Sequence, residues 1–354
     1  MKVLHVIQEL GVGGAERVTL ALVRGGRAAG HDAAIAAADG ALAAEAAVPV
    51  HPLPLIQRRP WLVPGAAAAV QRAVRAERPD LVHVHNPVIA AAAALATRRG
   101  RRTPGLVSMH GVPSADDDRA ALVLRLAGLP VVACGPAVAA ALTEHGVHVT
   151  ETITNGIPPA PEPADRAEVR AEWNLDSEQL LVLSVGRLVA GKNHSLAIRA
   201  VARVPGAALA VVGAGPLEHV LRSEATATGA GDRIVFAGAR PDAWRLMGAA
   251  DAVVLPSRGE GLPLTALEAL SIGTPLVATR VRGVVGLVED GETSLLVPVD
   301  DADALANAIA RVLADADLVR HLTSNGRELA ARFDEATMVE RYLDLYERVL
   351  TRRV

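Results

Sequence analysis

A regular alternation of short apolar runs with longer helical segments constrains the fold of this chain most. Runs rich in Val, Ile and Leu occur at residues 3–7, 81–85 and 105–109, and helical patterns such as 63–77 and 90–99 lie between them. Strands that alternate with helices in this way form βαβ units around a parallel sheet. The sequence therefore predicts an α/β protein built on parallel strands.

The length and one proline-rich segment indicate two domains. A chain of 354 residues exceeds one ordinary core, given a prior of about 150 residues per domain. Residues 158–165 read PPAPEPAD, which cannot continue a helix or a central strand, so this segment is expected to be a stiff linker. The strand rhythm resumes after it. We therefore predict one Rossmann-like domain at residues 1–160 and a second at 166–335.

The C-terminal tail has the pattern of an amphipathic helix. Met338, Tyr342, Leu343, Tyr346 and Leu350 recur at spacings of three and four residues. An apolar stripe of this kind needs a surface to cover.

Charge and composition exclude several classes of partner. The formal net charge is −3, and no basic stripe typical of nucleic-acid binding appears. An arginine cluster at residues 98–102 is better explained as a solvated loop than as a phosphate site. We expect no nucleic-acid partner, and the oligomeric state is not determined by the sequence.

The cysteine content and the N-terminus bear on the cellular compartment. Cys134 is the single cysteine, so no internal disulfide can form, and no Cys/His cluster has the spacing of a zinc site. The first ten residues are too short an apolar run for a signal peptide, and no stretch is long enough to span a membrane. We expect a cytoplasmic protein and leave a peripheral contact with the inner membrane face open.

The segment SRGEGLPLTALEAL at residues 257–270 carries the strongest functional signal. It follows an apolar strand and becomes helical near Leu264, which predicts backbone N–H groups pointing outward at the carboxyl end of a strand, as in a phosphate cradle. Glu260 and Glu268 are spaced by roughly 12 Å if helical, which suits a sugar at one end and a ribose at the other. The competing interpretation is a helix-start acid and a solvated residue. It is disfavoured because Glu268 lies among apolar residues, where an unpaired carboxylate is costly.

A second signal is GRLVAGKN at residues 186–193, where a strand ends at Gly186 and is followed by Arg187 and Lys192. Two cations at one sheet edge suit a diphosphate leaving group, whose developing charge they would stabilise. Further glycine turns follow the next strands, at VVGAGPLE (211–218) and VFAGAR (235–240).

In the first half, GVGGAERV follows the first strand and opens the first helix. Gly13 and Gly14 would let backbone amides approach a phosphate. The nicotinamide fingerprint requires glycine where Glu16 stands, and Asp32 precedes its strand instead of ending it, so a dehydrogenase is disfavoured.

Histidines at strand ends are the other candidate groups. His110 follows a predicted strand, and His83 and His85 share one face of another, so His85 and Asn86 are predicted to reach the sheet edge on an acceptor side. No metal is expected there because no carboxylate lies near in sequence. The acidic run at residues 116–118 is expected to cap a helix and not to bind magnesium.

Taken together, these segments resemble the family 4 (GT4) retaining glycosyltransferases of the GT-B fold, over nearly the whole chain. The matching segments are GGAER (13–17), HVHNP (83–87), SMHG (108–111), TNGI (154–157), GRLVAGKN (186–193), GAGPL (213–217) and EGLPLTALEAL (260–270). The resemblance implies an α/β, GT-B architecture of two Rossmann-like, doubly wound parallel-sheet domains facing a central cleft. It also implies that a C-terminal helix at residues 336–354 crosses back to the first domain.

The same resemblance implies a function. The domain at 166–335 would bind a nucleotide-sugar donor, with UDP expected first and GDP and ADP open. The domain at 1–160 would receive a small-molecule, lipid-linked or glycan acceptor. Transfer would proceed with retention at the anomeric carbon and without a divalent metal or other cofactor.

The resemblance also assigns roles to residues. Glu260 would contact the hydroxyl groups of the donor sugar, and Glu268 the ribose. Arg187 and Lys192 would clamp the diphosphate, and His110 would hydrogen-bond the sugar or stabilise charge near its C1. Leu262 and Pro263 stand where many members carry Phe and Gly. The remaining donor-binding residues implied are Gly13, Gly14, Gly186, Gly213, Gly215, Pro216, Gly261, Leu262, Pro263, Leu264 and Thr265.

Two other functions use the same donor site. A GT-B epimerase would turn over a nucleotide sugar without an acceptor. A non-catalytic subunit would bind the donor and yield no product with any acceptor.

Overall fold

The computed structural model describes residues 1–56, 60–98, 103–111 and 116–351. The arginines at 99, 101 and 102 lie outside the described residues. The chain divides into two compact units, one formed by Met1–Gly156 with Glu335–Val354 and the other by Ile157–Asp334.

Unit 1 is built on a parallel sheet of seven strands. The strands are β1 (Lys2–Glu9), β2 (Asp32–Ala38), β3 (Val50–Pro52), β4 (Leu81–Val84), β5 (Gly105–Met109), β6 (Val131–Ala133) and β7 (Val149–Thr152). Their order is β3-β2-β1-β4-β5-β6-β7, so the direction of winding reverses between β1 and β4. The register places His5 opposite His83 on those two strands.

Helices connect these strands, as the predicted alternation requires. They are α1 (Gly14–Ala28), α2 (Val63–Glu77), α3 (Pro87–Arg98), α4 (Asp117–Ala127) and α5 (Pro136–Glu144). Apolar strand residues such as Leu4, Val6 and Val82 are completely buried, because helices of a doubly wound fold cover both faces of the sheet.

Unit 2 repeats the design with a parallel sheet of six strands. The strands are β8 (Leu180–Val185), β9 (Ala207–Val212), β10 (Ile234–Gly238), β11 (Ala252–Leu255), β12 (Leu276–Thr279) and β13 (Leu295–Val297). The helices are α6 (Arg166–Glu172), α7 (His194–Ala202), α8 (Glu218–Ala227), α9 (Ala243–Ala249), α10 (Leu264–Ile272), α11 (Arg282–Val285), α12 (Ala302–Ala314) and α13 (Ala316–Ala330). The strand order is β10-β9-β8-β11-β12-β13, so winding reverses between β8 and β11.

The C-terminal helix α14 (Glu335–Thr351) belongs to unit 1 and packs against α1, as predicted. Its buried stripe differs from the predicted one. Val339 and Leu345 are buried together with the predicted Met338, Tyr342 and Tyr346. The predicted Leu343 and Leu350 are only half-buried. Positions 338, 342 and 345 are separated by four and three residues, so they lie on one face of the helix. Leu343 directly follows Tyr342 and therefore lies to one side of that face.

The proline-rich segment at 158–165 is not a free spacer. Its Ala164 N–H donates to the carbonyl of Arg245 at 2.9 Å, and Arg245 Nε donates to the carbonyl of Glu162 at 3.0 Å. Asp165 then caps α6 by accepting from Ala167 N and Glu168 N. The segment is therefore fixed to α9 of unit 2. Proline removes backbone donors, but the carbonyl and alanine amide groups between the prolines remain able to pair.

No helix in the described part of the chain combines the length and apolar character that a bilayer span requires.

Candidate functional site

The loops that carry the strongest sequence signals leave adjacent strands of unit 2. Strands β8 and β11 pair directly, with Val254 opposite Ser184 near their carboxyl ends. The segment 186–193 follows β8 and the segment 256–263 follows β11. Because ligands of open parallel sheets bind beyond the strand ends where the winding reverses, this edge is the candidate site of unit 2.

Glu260 is anchored by two donors at this edge. Lys192 Nζ lies 2.7 Å from Glu260 Oε1, and Ser257 Oγ donates to the same oxygen at 2.6 Å. The Lys192 side chain is 25% exposed and the Glu260 side chain 9%, so the pair is partly desolvated. Among the described residues, none is seen to donate to Oε2 of Glu260. One carboxylate oxygen is thus fixed by the protein while the other can still accept hydrogen bonds.

Helix α10 begins four residues after Glu260 and starts with backbone donors that lack an acceptor among the described residues. Pro263 occupies the N-cap position and offers no side-chain cap, while its carbonyl accepts from the N–H of Ala266 at 3.0 Å. In the described part of the chain, no acceptor pairs with the N–H groups of Leu264 and Thr265. Free N–H groups and the helix dipole favour an anion at this position. The phosphate cradle expected from the sequence stays a prediction that this geometry suits.

Glu268 is not a solvated helical residue. It is 6% exposed on α10, and its carbonyl accepts from Trp244 Nε1 at 2.9 Å. The competing interpretation of Glu268 as a surface residue is therefore wrong. Its predicted role at the ribose remains a prediction.

Arg187 is exposed, and no ion pair to it is seen among the described residues. The neighbouring Gly186 lies under the stem of Lys192, because a Cβ added there would sit 3.5 Å from Lys192 Cδ. Two cations therefore follow β8, one paired with Glu260 and one available to a ligand.

The glycines after β8 and β9 have a structural reason of their own. Gly186 and Gly213 have φ of +156° and +152°, a region that side chains disfavour. A Cβ on Gly213 would collide with the Gly186 carbonyl oxygen, and one on Gly215 would lie 2.6 Å from the Leu188 carbonyl oxygen. The glycines let these loops touch backbone to backbone, and Pro216 beside them is exposed. Their predicted contacts with a donor are not tested by this packing.

Other predicted donor residues lie on the loop before α10. Gly261 and Leu262 are half-buried and Pro263 is buried. Gly283 on α11 packs on this loop, since a Cβ there would collide with the carbonyl oxygens of Glu260 and Gly261. The loop that carries Glu260 is thus supported from behind by α11.

In unit 1, three histidines on β1, on β4 and directly after β4 form a buried cluster. His5, His83 and His85 are 2%, 0% and 0% exposed. His5 Nδ1 and His85 Nε2 share a hydrogen bond at 2.9 Å. Burial lowers the pKa of His5 to about 3, and burial first, then neighbouring imidazoles, lower those of His83 and His85 well below the usual value. The cluster is therefore neutral at neutral pH.

Helix α14 completes the hydrogen bonds of this cluster. His83 Nδ1 pairs with the Tyr346 hydroxyl at 2.6 Å, and His83 Nε2 pairs with Ser108 Oγ at 2.7 Å. Ser108 also pairs with the Tyr342 hydroxyl at 2.8 Å. One nitrogen from each of His5, His83 and His85 lies within 4.8 Å of the others, close enough for one metal ion. Because both nitrogens of His83 already have partners, a hydrogen-bonded network accounts for the cluster better than a metal centre.

His110 and Asn86 lie next to this cluster with unsatisfied polar atoms. Both ring nitrogens of His110, Nδ1 of His85 and Oδ1 of Asn86 are buried and have no hydrogen-bond partner among the described residues. The rings of His85 and His110 are parallel, with centroids 5.8 Å apart. Burial lowers the pKa of His110 to about 4. Since buried polar groups are normally paired, these atoms mark a place where a ligand or water would be accommodated. His85 itself is fully buried, so its predicted acceptor contact could use only Nδ1.

At the glycine turn after β1, a side-chain carboxylate of the protein already lies against the start of α1. A Cβ on Gly13 would collide with the carboxylate of Glu16, which folds back over the start of α1. A carboxylate at the third helical position commonly accepts from the N-cap N–H. The predicted phosphate contact of Gly14 would have to compete with this carboxylate, and it stays a prediction.

The acidic run at 116–118 differs from expectation. Asp116 occupies the N-cap position of α4, but its side chain accepts no capping hydrogen bond within the described residues. Its φ of −105° with ψ near 1° is not the extended conformation that points a cap side chain at the helix. Asp118 instead pairs with His145 at 2.8 Å.

The sequence assigns no role to several residues of the site. Ser257 opens the motif at residues 257–270, and in the structure its hydroxyl donates to Glu260. Asn193 and Arg258 meet Asp300, which follows β13. His5 joins the histidine cluster only through strand pairing. A search for polar residues directly after or within strands that flank the winding reversal would have found Ser257 and His5.

Two family descriptions match the chain, one in each unit. "Glycosyltransferase Family 4" matches residues 12–160, and "Glycosyl transferases group 1" matches residues 165–329.

Two of the curated relatives that this chain matches are glycosyltransferases. The lipopolysaccharide core biosynthesis glycosyltransferase LpsE of Rhizobium meliloti is 36% identical over 177 residues, which is 50% of this chain and 52% of LpsE. The α-D-kanosaminyltransferase of Streptomyces kanamyceticus is 32% identical over 193 residues, which is 52% of this chain and 50% of that protein. The chain thus spans about half the length of the curated relatives it matches.

Among solved structures, Anabaena Alr3699/HepE in complex with UDP and glucose superposes with a TM-score of 0.87 at 25% identity, covering 98% of this chain and 100% of that one. The lipopolysaccharide glycosyltransferase WaaG superposes with a TM-score of 0.80 at 19% identity over 97% and 99% of the two chains, which shows the fold alone. With two parallel-sheet Rossmann-like units and both family descriptions matched in order, this chain belongs to the GT4 glycosyltransferases of the GT-B fold.

Proposed function

We propose that this chain transfers a sugar from a nucleotide-diphosphate donor to an acceptor hydroxyl, and that unit 2 binds the donor. The observations that carry the proposal are the Glu260 carboxylate, which Lys192 and Ser257 hold on the loop between β11 and α10, and the first N–H groups of α10, which have no acceptor among the described residues. An anchored carboxylate can accept from sugar hydroxyls, and a helix start can bind a diphosphate.

The diphosphate is proposed to lie on the start of α10. Its oxygens would accept from the N–H groups of Leu264 and Thr265, and the exposed Arg187 would add charge and a planar pair of donors. Lys192 would lie between the diphosphate and Glu260. These cations would stabilise the negative charge that grows on the leaving phosphate as the glycosidic bond breaks.

The donor sugar is proposed to bind Glu260. Since Oε1 is held by the protein, Oε2 would accept from the sugar hydroxyls without having to be oriented first. Such preorganisation lowers the entropy cost of binding the reacting group in place.

In the proposed reaction the bond between the anomeric carbon and the phosphate oxygen breaks, and the acceptor oxygen bonds the same carbon from the same face. The acceptor proton passes to the leaving phosphate oxygen, so the products are the glycoside and the nucleoside diphosphate. Arg187, Lys192 and the helix start would supply the positive charge, so we propose that no divalent metal is needed.

UDP is the first donor nucleotide proposed, because HepE, which superposes on this chain, was solved with UDP and glucose. GDP and ADP are the alternatives. Unit 1 is proposed to select the acceptor through Asn86, and His110 is proposed to hydrogen-bond the sugar. A glycan or lipid-linked acceptor is favoured by LpsE, which acts in lipopolysaccharide core biosynthesis.

The test is release of nucleoside diphosphate from a panel of nucleotide sugars, in the presence and absence of glycan and lipid-linked acceptors. We expect acceptor-dependent release that persists in EDTA, and a product whose anomeric proton coupling in NMR matches that of the donor. Inversion of the anomeric centre would refute retention, and loss of activity in EDTA would refute metal independence.

A pair of matched variants tests the role of the carboxylate. Glu260→Gln should lower turnover by about 10²-fold or more, as for other removed groups that act on the transition state. Glu292→Gln removes an exposed carboxylate of unit 2 that pairs with His321, and it should leave turnover unchanged. Turnover of Glu260→Gln near the wild-type value would refute the proposed site.

A further inference from the structure

We infer that Asp300 is a positioning residue that ties the Lys192 loop (residues 190–193) to the Glu260 loop (residues 256–260). For its effect on turnover the inference rests on the proposed function, but the tie itself can be measured without it. Asp300 follows β13, which lies two strands away from β11 in the sheet. Its hydrogen bonds with Arg258 and Asn193, here called the bracket, therefore join the chain segments that follow β8, β11 and β13.

Asp300 and Arg258 form a double contact. Arg258 Nε donates to both carboxylate oxygens of Asp300, at 3.0 and 3.1 Å, and Nη2 lies 2.8 Å from Oδ1. The same arginine reaches the other loop, since its backbone N–H donates to the Gly191 carbonyl at 2.9 Å and Nη1 to the Ala190 carbonyl at 3.3 Å. Arg258 therefore joins the two loops while Asp300 fixes the orientation of its guanidinium.

Asn193 makes the second half of the bracket. Its Nδ2 donates to Asp300 Oδ1 at 2.9 Å and to the Pro256 carbonyl at 3.2 Å. Asn193 is buried and has φ of +52°, a conformation that asparagine tolerates and most residues do not. One carboxylate thus accepts from both loops at once.

The bracket holds the immediate neighbours of the functional pair. Asn193 adjoins Lys192, and Arg258 lies two residues before Glu260. An exposed ion pair is usually of little consequence. This one differs because it is bidentate, shares an acceptor with a buried asparagine and is reinforced by backbone hydrogen bonds. The hydrogen bond from Arg258 also holds the pKa of Asp300 below its usual range, which favours the ionised carboxylate.

The test variants must remove the Asp300 carboxylate without straining the backbone at that position. Asp300 has φ of +63°, so alanine would add strain, whereas glycine adopts this conformation freely. Asp300→Gly therefore removes only the side chain. Asp300→Asn retains an acceptor oxygen without the charge and should be intermediate. Asp303→Ala is the control, because it removes a nearby exposed aspartate whose ion pair, with Arg203 at 2.9 Å, lies outside the bracket.

The direct measurement is amine acetylation followed by mass spectrometry. The chain has two lysines, Lys2 and Lys192, and each is paired with a glutamate at short distance, Lys2 with Glu77 at 2.6 Å. Lys2 is thus an internal reference. We expect Asp300→Gly to raise the labelling rate of Lys192 several-fold relative to Lys2, Asp300→Asn to raise it less, and Asp303→Ala to leave the ratio unchanged.

Turnover is the second measurement. Asp300→Gly should lower kcat by about 10- to 100-fold, because displacing reacting groups by about 1 Å has that effect. Affinity for free nucleoside diphosphate should also fall, because Lys192 is proposed to contact the diphosphate, but by a smaller factor than kcat. Asp300→Asn should recover part of the lost turnover.

The outcomes are distinct. An unchanged ratio of Lys192 to Lys2 labelling in Asp300→Gly would overturn the inference, whatever the activity. A kcat within twofold of an active wild type would also overturn it. So would a fold-loss in nucleotide affinity equal to the fold-loss in kcat, accompanied by a lower melting temperature. If the ratio rises but the wild type transfers no sugar from any donor, the proposed function fails and the bracket stands.

Discussion

Low pH should lower the unfolding free energy of unit 1 by an amount that grows with the number of buried neutral histidines. His5 permits a quantitative test. His5 is 2% exposed, and burial lowers its pKa to about 3, against about 6.5 in an unfolded chain. Because the folded pKa lies below the unfolded one, the stability contribution is complete above about pH 6.5 and is lost as the pH falls from there toward about 3. In that window the unfolded state binds one more proton than the folded state, so stability falls by about 1.36 kcal/mol per pH unit for each such histidine. At pH 5 the loss due to His5 is about 2 kcal/mol.

His5→Asn removes that proton and keeps a side chain able to donate to His85. Urea unfolding would be followed by second-derivative ultraviolet absorbance, which separates the tyrosine bands from those of the tryptophans, such as Trp173 and Trp244 of unit 2. Tyr342 and Tyr346 are the only two tyrosines in the sequence and both are buried in unit 1, so the tyrosine bands report that unit. The slope of unfolding free energy against pH, between about pH 6 and about pH 4.5, should be smaller in the variant by about 1.36 kcal/mol per pH unit. Equal slopes would show that His5 is not buried in its neutral form, and the account of the histidine cluster would be wrong.

Three further substitutions test other parts of the argument. Tyr346→Phe should lower unfolding free energy by about 1 to 3 kcal/mol, because it leaves a buried nitrogen of His83 unpaired, and the same urea assay measures it. Gly213→Ala should lower the melting temperature of unit 2, since its Cβ collides with a neighbouring carbonyl and its φ disfavours alanine. Ser257→Ala removes one of the two donors that hold Glu260 and should lower kcat by about tenfold, the equivalent of one charge-assisted hydrogen bond, in the nucleotide-release assay.

The sequence predicted the strands and most helices because each depends on a local pattern. The helix predicted at residues 63–77 is Val63–Glu77 in the structure, and the strand at 105–109 is Gly105–Met109. Burial on both faces makes parallel strands nearly continuous apolar runs, which are easily read. The stripe of α14 was predicted less well, because Leu343 and Val339 are equally apolar and only the surface beneath decides between them.

The contacts that build the candidate site could not be predicted in the same way. His5 meets His85 across 80 residues of chain, and Asn193 meets Asp300 across 107. Such pairs depend on strand order and register, which no local pattern specifies. The Lys192–Glu260 pair was suggested only as two separate motifs. Their meeting follows from the pairing of β8 with β11, which the alternation of strands and helices does not determine.

The two units present different electrostatics, and this difference bears on the role of His110. In unit 2 the candidate groups are ionic, with Lys192 paired with Glu260 and with the exposed Arg187, which forms no ion pair within the described part of the chain. In unit 1 the imidazoles are buried, and a pKa of about 4 keeps His110 neutral at neutral pH. A neutral imidazole can donate from one nitrogen and accept at the other, but it brings no positive charge to a developing oxyanion or phosphate. Of the two roles expected for His110, a neutral imidazole therefore suits hydrogen bonding to sugar hydroxyls better than charge stabilisation, which we propose comes from the cationic side chains of unit 2.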